Sequence, residues 1–205
     1  MPPLIFNKQL LGGFFKMAKM YTVTKEINGR NITAKFSGIS TSARAADTTY
    51  IDGTDNTSIE KLTEFLFDNV IVEPRLSIQD FGADMIGKTE KKTIGGVEYV
   101  AKFDGLLTAI RAMDENYNDE NGNTSIEKLS QYLFDNVIVS PEKLTIDDFE
   151  SMDDFKKVVA FAREVMQGGE IWKDYTAIIG FARKVMDGQF RDSKDNDATR
   201  KGSKE

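Results

Sequence analysis

Cysteine and histidine are both missing from the 205 residues. Without cysteine there is no disulfide, no thiolate nucleophile and no Cys/His zinc site. Without histidine there is no Ser-His triad and no imidazole acid–base chemistry. An absence of cysteine is also compatible with a reducing compartment. Proline is scarce, at 4 residues, and no apolar run approaches the ~20 residues that span a bilayer. An excess of positive charge is lacking too: 27 Lys+Arg face 33 Asp+Glu, a net charge of −6. Phosphate neutralisation supplies most nucleic-acid affinity, so an acidic chain with no basic stripe is a poor nucleic-acid binder. What remains is 40% hydrophobic and 29% charged, enough for one or two small domains with their own cores.

The first residues do not read as a signal peptide. Lys8 interrupts the apolar stretch, and Lys16 and Lys19 follow it. Leu11-Gly12-Gly13 can be encoded by bases containing the ribosome-binding sequence AGGAGG, shortly before Met17. Residues 1–16 are therefore expected to be translated leader.

A tandem repeat organises the rest. NTSIEKLTEFLFDNVIV (Asn56–Val72) returns as NTSIEKLSQYLFDNVIV (Asn123–Val139), 67 residues later, with three mild differences in 17 positions. The same offset matches Ala34-Lys35-Phe36 to Ala101-Lys102-Phe103, and Gly38, Arg44, Ala45 and Asp47 to Gly105, Arg111, Ala112 and Asp114. Downstream, EPRLSIQDF (Glu73–Phe81) matches SPEKLTIDDF (Ser140–Phe149) after one insertion. A shorter echo follows, in which DFKKVVAFAREVMQGGE (Asp154–Glu170) resembles DYTAIIGFARKVMDGQF (Asp174–Phe190) at an offset of 20. Internal repetition at this level means one fold unit duplicated. The expected layout is unit 1 over 17–86, unit 2 over 87–150, a helical C-terminal segment over 151–190 and a solvated, disordered tail over 191–205. That tail has five basic and four acidic residues and almost nothing apolar.

Each unit opens with a hairpin signal. Tyr21–Ile27, Asn28-Gly29 and Arg30–Phe36 read as strand, type I′ turn and strand, since both turn positions need positive φ. That register puts Tyr21, Val23, Ile32, Ala34 and Phe36 on one face; in unit 2 Gly95-Gly96 takes the turn and Val97, Tyr99, Ala101 and Phe103 form the matching face. A short helix follows, on which Leu106, Leu107, Ile110 and Met113 recur at helical spacing. Their unit 1 counterparts Ile39, Ser40, Ala43 and Ala46 are smaller or polar, so unit 1 is expected to pack this helix less well. Thr57-Ser58-Ile59-Glu60 and Thr124-Ser125-Ile126-Glu127 read as capping boxes opening the best-marked helices. Ser77-x-x-Asp80 and Thr145-x-x-Asp148 open further short helices, of which only the second continues. Two amphipathic helices close the chain, with Gly168 and Gly188 as their stops. The fold class is α+β.

Few residues suggest chemistry. Asn116-x-Asn118-x-Glu120 leading to Glu127 has calcium-loop ligand types, but Gly122 is one position late, and a polar turn is the better reading. Asp147-Asp148 and Asp153-Asp154 sit at helix starts, where the helix dipole favours negative charge, and read as caps rather than as an acid/base pair. No phosphate-binding Gly-rich loop of standard form occurs. No catalytic residue, metal site or cofactor is assigned. The ambiguous feature is the pair of C-terminal apolar faces. They can pack internally or be offered to a partner, since Met and aromatic residues supply adaptable contact surface.

The run YLFDNVIVSPEKLTIDDFESMDDFKKVVAFAREVMQGG (Tyr132–Gly169), with the hairpin and Gly-Leu-Leu helix of Gly96–Met113 upstream, resembles the tail assembly chaperones of long-tailed phages of Gram-positive bacteria. The resemblance reaches unit 1 through the duplication, and this chain departs from the family pattern in its two near-identical units and doubled C-terminal helix. It implies a non-enzymatic factor in the host bacterial cytoplasm, absent from the finished particle, which binds the aggregation-prone tape measure protein and helps recruit tail tube subunits. Nucleic acid and membrane are not expected partners, and self-association is open. The expected partner-binding residues are Phe155, Val158, Val159, Phe161, Ala162, Val165 and Met166, with Trp172, Tyr175, Ile178, Ile179, Val185 and Met186 as a second set. The competing reading is a structural tail or connector subunit of the virion.

Overall fold

The computed structural model describes residues 20–51, 57–115 and 125–190. The leader expected over 1–16, the tail expected over 191–205 and the calcium-type positions 116–122 lie outside them. The chain is α+β, and the described residues form two three-stranded antiparallel sheets and six α-helices.

Unit 1 begins with β1 (Tyr21–Ile27) and β2 (Arg30–Phe36), paired Tyr21 to Phe36 and Val23 to Ala34. The pairing places Ile32, Ala34 and Phe36 in the core, with Tyr21 and Val23 packed against it. Asn28 and Gly29 both have positive φ, as a type I′ turn requires. Then come α1 (Ile39–Thr49), α2 (Ile59–Asn69) and β3 (Ile71–Glu73), which adds to the other side of β2. A 3₁₀ turn, Ile78–Asp80, closes this part. Unit 2 repeats the sequence of elements with β4 (Thr89–Ile94), β5 (Val97–Lys102), α3 (Leu106–Glu115), α4 (Ile126–Asn136), β6 (Ile138–Ser140) and a 3₁₀ turn, Ile146–Asp148. Of its expected hairpin face Tyr99, Ala101 and Phe103 are buried, whereas Val97, at the turn, is exposed.

The C-terminal helices α5 (Met152–Gln167) and α6 (Glu170–Met186) do not form a layer of their own over 151–190. They separate. α5 packs on β4, β5, α3 and α4, whereas α6 returns to β1, β2, α1 and α2. Each unit therefore owns one helix of the 20-residue echo. Unit 2 with α5 is inserted into unit 1, between its 3₁₀ turn and its last helix.

Matched side-chain contacts establish this pairing. In unit 1, Phe67 stacks on Phe81 at 6.0 Å and Phe81 meets Tyr175 of α6 edge-on at 5.8 Å. In unit 2, Phe134 stacks on Phe149 at 5.7 Å and Phe149 meets Phe155 of α5 edge-on at 5.5 Å. The glycine stops agree as well. Gly168 has φ +64°, and a Cβ there would lie 2.8 Å from Phe103; Gly188 has φ +69°, and a Cβ there would lie 3.2 Å from Phe36. Each helix thus ends against the last inward phenylalanine of its own hairpin, in a conformation glycine alone adopts freely. The two crossings between the units also lie together, because Gly82 on the way out and Gly168 on the way back both abut Phe103 and Ile171. Adjacent entry and exit points are what an inserted unit requires.

Candidate functional site

The apolar stripes of α5 and α6 form two cores rather than an open surface. Phe155, Val158, Phe161, Ala162, Val165 and Met166 are buried in unit 2, and Tyr175, Ile178, Val185 and Met186 in unit 1. Val159 and Ile179 are half-buried against the same cores, and Trp172 lies between the two. Of the thirteen residues expected to bind a partner, ten are thus buried within the folded units and three are half-buried against their cores. The reason is geometric. A stripe at three- and four-residue spacing needs an apolar counterpart, and each hairpin supplies one.

Helix α3 joins the units. Ala109 and Ala112 face the core of unit 2, while Leu106 and Ile110 enter the core of unit 1, with Leu107 packed beside them. At the far end of α3, Asp114 reaches the start of α2. Its carboxylate accepts hydrogen bonds from the Ser58 hydroxyl (2.7 Å), the Ile59 amide (2.6 Å) and the Glu60 amide (3.0 Å). Those amides are among the unpaired donors of a helix N-terminus, where negative charge is favoured. Arg111 completes the contact by donating to both carboxylate oxygens of Glu60 at 3.2 Å, which holds the guanidinium pKa above its ordinary value.

The capping box expected at Thr57 does not form, and Thr124, where the second was expected, lies outside the described residues. Ser58 and Ser125 are the N-caps, accepting from the Lys61 and Lys128 amides. Glu60 and Glu127 are then one position too early to reach back. Ser77 with Asp80 and Thr145 with Asp148 do form capping boxes, over single 3₁₀ turns, and α5 starts on a separate cap, Ser151. Asp148 accepts from both the Thr145 hydroxyl and amide, which lowers its pKa. A carboxylate held ionised in this way caps the turn and is a poor general acid. Asp153 and Asp154 lie in the first turn of α5 and pair with Lys157.

No described element covers the surface of unit 2 that corresponds to the α3-covered surface of unit 1. There an open groove of about 750 Å³ runs beside the start of α4, with Ile126, Ile146 and Phe155 as apolar lining and Glu127, Lys128 and Asp147 among its polar residues. The unit 1 counterparts of its apolar residues are Ile59, Ile78 and Tyr175, by the repeat offsets. Ile126 is 68% exposed; Ile59 is half-buried. The converse holds for the first helices. Ile39, Ala43 and Ala46 of α1, counterparts of Leu106, Ile110 and Met113, face solvent, and Ile39 is 75% exposed. α1 packs instead through Thr41, Ala45 and Thr49, and Ser42 donates to the Met186 carbonyl of α6 at 2.9 Å. The larger residues of α3 were legible in the sequence as better packing; their partner in the other unit was not.

No protein-family model matches the chain, and neither a curated protein nor a solved structure does so. Among the described residues no helix is long and apolar enough to cross a membrane.

Proposed function

We propose that the protein is a non-enzymatic tail assembly chaperone that binds and solubilises the phage tape measure protein and assists tail tube assembly. The family reading rests on the resemblance over Tyr132–Gly169. One structural observation carries the binding reading: both units keep an exposed valine at the same place. Val72 on β3 is 44% exposed and Val139 on β6 is 40% exposed, each on a sheet edge strand and each within the same LFDNVIV run. Apolar groups left in solvent at matched positions suit a long client held at two points, where linkage multiplies weak contacts. The net charge of −6 would keep such a complex soluble by mutual repulsion.

Co-expression with the tape measure protein tests the reading. The client is expected to be soluble with the wild-type chain, partly soluble with Val72→Asp or Val139→Asp, and insoluble with both. Equal client solubility with and without the chain would reject the chaperone role. Finding the protein in purified particles would favour the structural virion subunit instead.

A further inference from the structure

We infer that copies of this chain associate head to tail, α1 of one copy docking into the α4 groove of the next. The contact inside the chain is the template. On unit 1, α3 lays Leu106 and Ile110 into the core, while Asp114 and Arg111 engage the start of α2. Every element of that contact exists a second time at the two ends of the molecule, with no such counterpart among the described residues: Arg44 lies over the Phe65 ring of its own unit, 6.0 Å from the centroid, and the Ser125 hydroxyl accepts from the Lys128 amide of its own helix. α1 carries Arg44 and Asp47 where α3 carries Arg111 and Asp114. α4 carries Ser125, Ile126 and Glu127 where α2 carries Ser58, Ile59 and Glu60. Docked as α3 is on unit 1, Asp47 of one copy would accept from the Ser125 hydroxyl and the Ile126 and Glu127 amides of the next. Arg44 would meet Glu127, and Ile39 would cover Ile126. Charge and apolar groups are complementary in one direction only, so the contact is heterologous and repeats the step from unit 1 to unit 2. Ala43 and Ser40 replace Ile110 and Leu107, so the contact between chains is weaker than the one within.

Arg44 and Glu127 are both exposed, and exposed charges can be exchanged without disturbing a core. Sedimentation velocity of the purified full chain, up to about 1 mM, should show concentration-dependent assembly. Arg44→Glu alone and Glu127→Arg alone should each weaken it at least tenfold, with unchanged circular dichroism. An equimolar mixture of the two variants should restore it, because the reversed pair and the native pair then alternate along the assembly. A wild-type chain monomeric throughout that range would overturn the inference. So would single variants that assemble like wild type, or a mixture that assembles no better than either variant alone. None of these measurements involves a client, so they stand or fall separately from the chaperone reading.

Discussion

Ile59 and Ile126 sit in the same heptapeptide, NTSIEKL, at the start of the same helix. In unit 1 the residue is half-buried, the neighbouring Ser58 is buried and an aspartate from the other unit caps the amides. In unit 2 the isoleucine stands in solvent. Identical residues have met different fates because α3 follows unit 1 in space and no described element follows unit 2. The comparison teaches that exposure here is decided by the neighbouring unit rather than by the local sequence. The C-terminal helices teach the complement. Their sequences differ more, yet each finds the same seat in its own unit.

The harshest way to break the comparison is to remove α6. A chain ending at Gly169 deletes Tyr175, Ile178, Phe181, Ala182, Val185 and Met186, all buried in unit 1. Burial stabilises roughly 1.5–3 kcal/mol for each large apolar side chain, so the loss is on the scale of a small domain's whole stability, ~5–15 kcal/mol. Hydrogen exchange should show β1, β2 and α2 unprotected while β4, β5 and α5 keep their protection. Loss of protection in unit 2 first would mean the helices had been paired with the wrong units.

Next in size come the matched phenylalanines. Phe81 is buried between Phe67 and Tyr175, and Phe81→Ala should cost about 3–5 kcal/mol in urea denaturation. Phe149 is half-buried, so Phe149→Ala should cost less, about 2 kcal/mol. The reverse order would show that the two aromatic clusters are not equivalent seats.

How much of this was legible beforehand follows from the range of each interaction. The hairpins read correctly because a two-residue turn and period-2 alternation are local. The glycine stops read correctly because positive φ is a property of one residue. The α5 and α6 stripes were found, but periodicity states only that a face needs an apolar partner. Their partners lie far back in the chain: Tyr175 contacts Thr63, 112 residues away. The offset of 20 does not say which unit each last helix belongs to, because the two helices are neighbours in the chain and seat in different units. The groove beside α4 left no mark, since Ile126 and Ile59 have the same sequence neighbours.

A finer contrast lies in the hydroxyl that unit 1 alone possesses. Tyr175 OH and Thr63 Oγ1 are 2.6 Å apart in the core, where unit 2 has Phe155 and Ser130. Burial pushes the Tyr175 pKa up from 10.0 to about 12. Between those values the unfolded chain has released its phenolic proton and the folded chain has not. Stability from this group is therefore whole below pH 10 and falls as pH rises toward 12, by about 2–3 kcal/mol. Tyr175→Phe should remove that part of the alkaline loss. Denaturation midpoints of wild type and Tyr175→Phe compared at neutral pH and above pH 10 check it.

The smallest effect separates the two aspartates that the repeat makes equivalent. Asp114→Asn keeps the size of the side chain but replaces a charged acceptor of three hydrogen bonds with a neutral one. It should cost about 1 kcal/mol, and the cost should fall on unit 1 although the residue belongs to unit 2. Asp47→Asn, on the exposed face of α1, should change the stability of dilute protein by less than about 0.5 kcal/mol. If copies dock through α1, that near-silence holds only while the chain is monomeric: raising the protein concentration should make Asp47→Asn resemble Asp114→Asn, now through the α4 of a neighbouring molecule. Thermal melts of both variants across a concentration series measure the difference. A gap between them that stays constant as concentration rises would mean that Asp114 has a counterpart in sequence only.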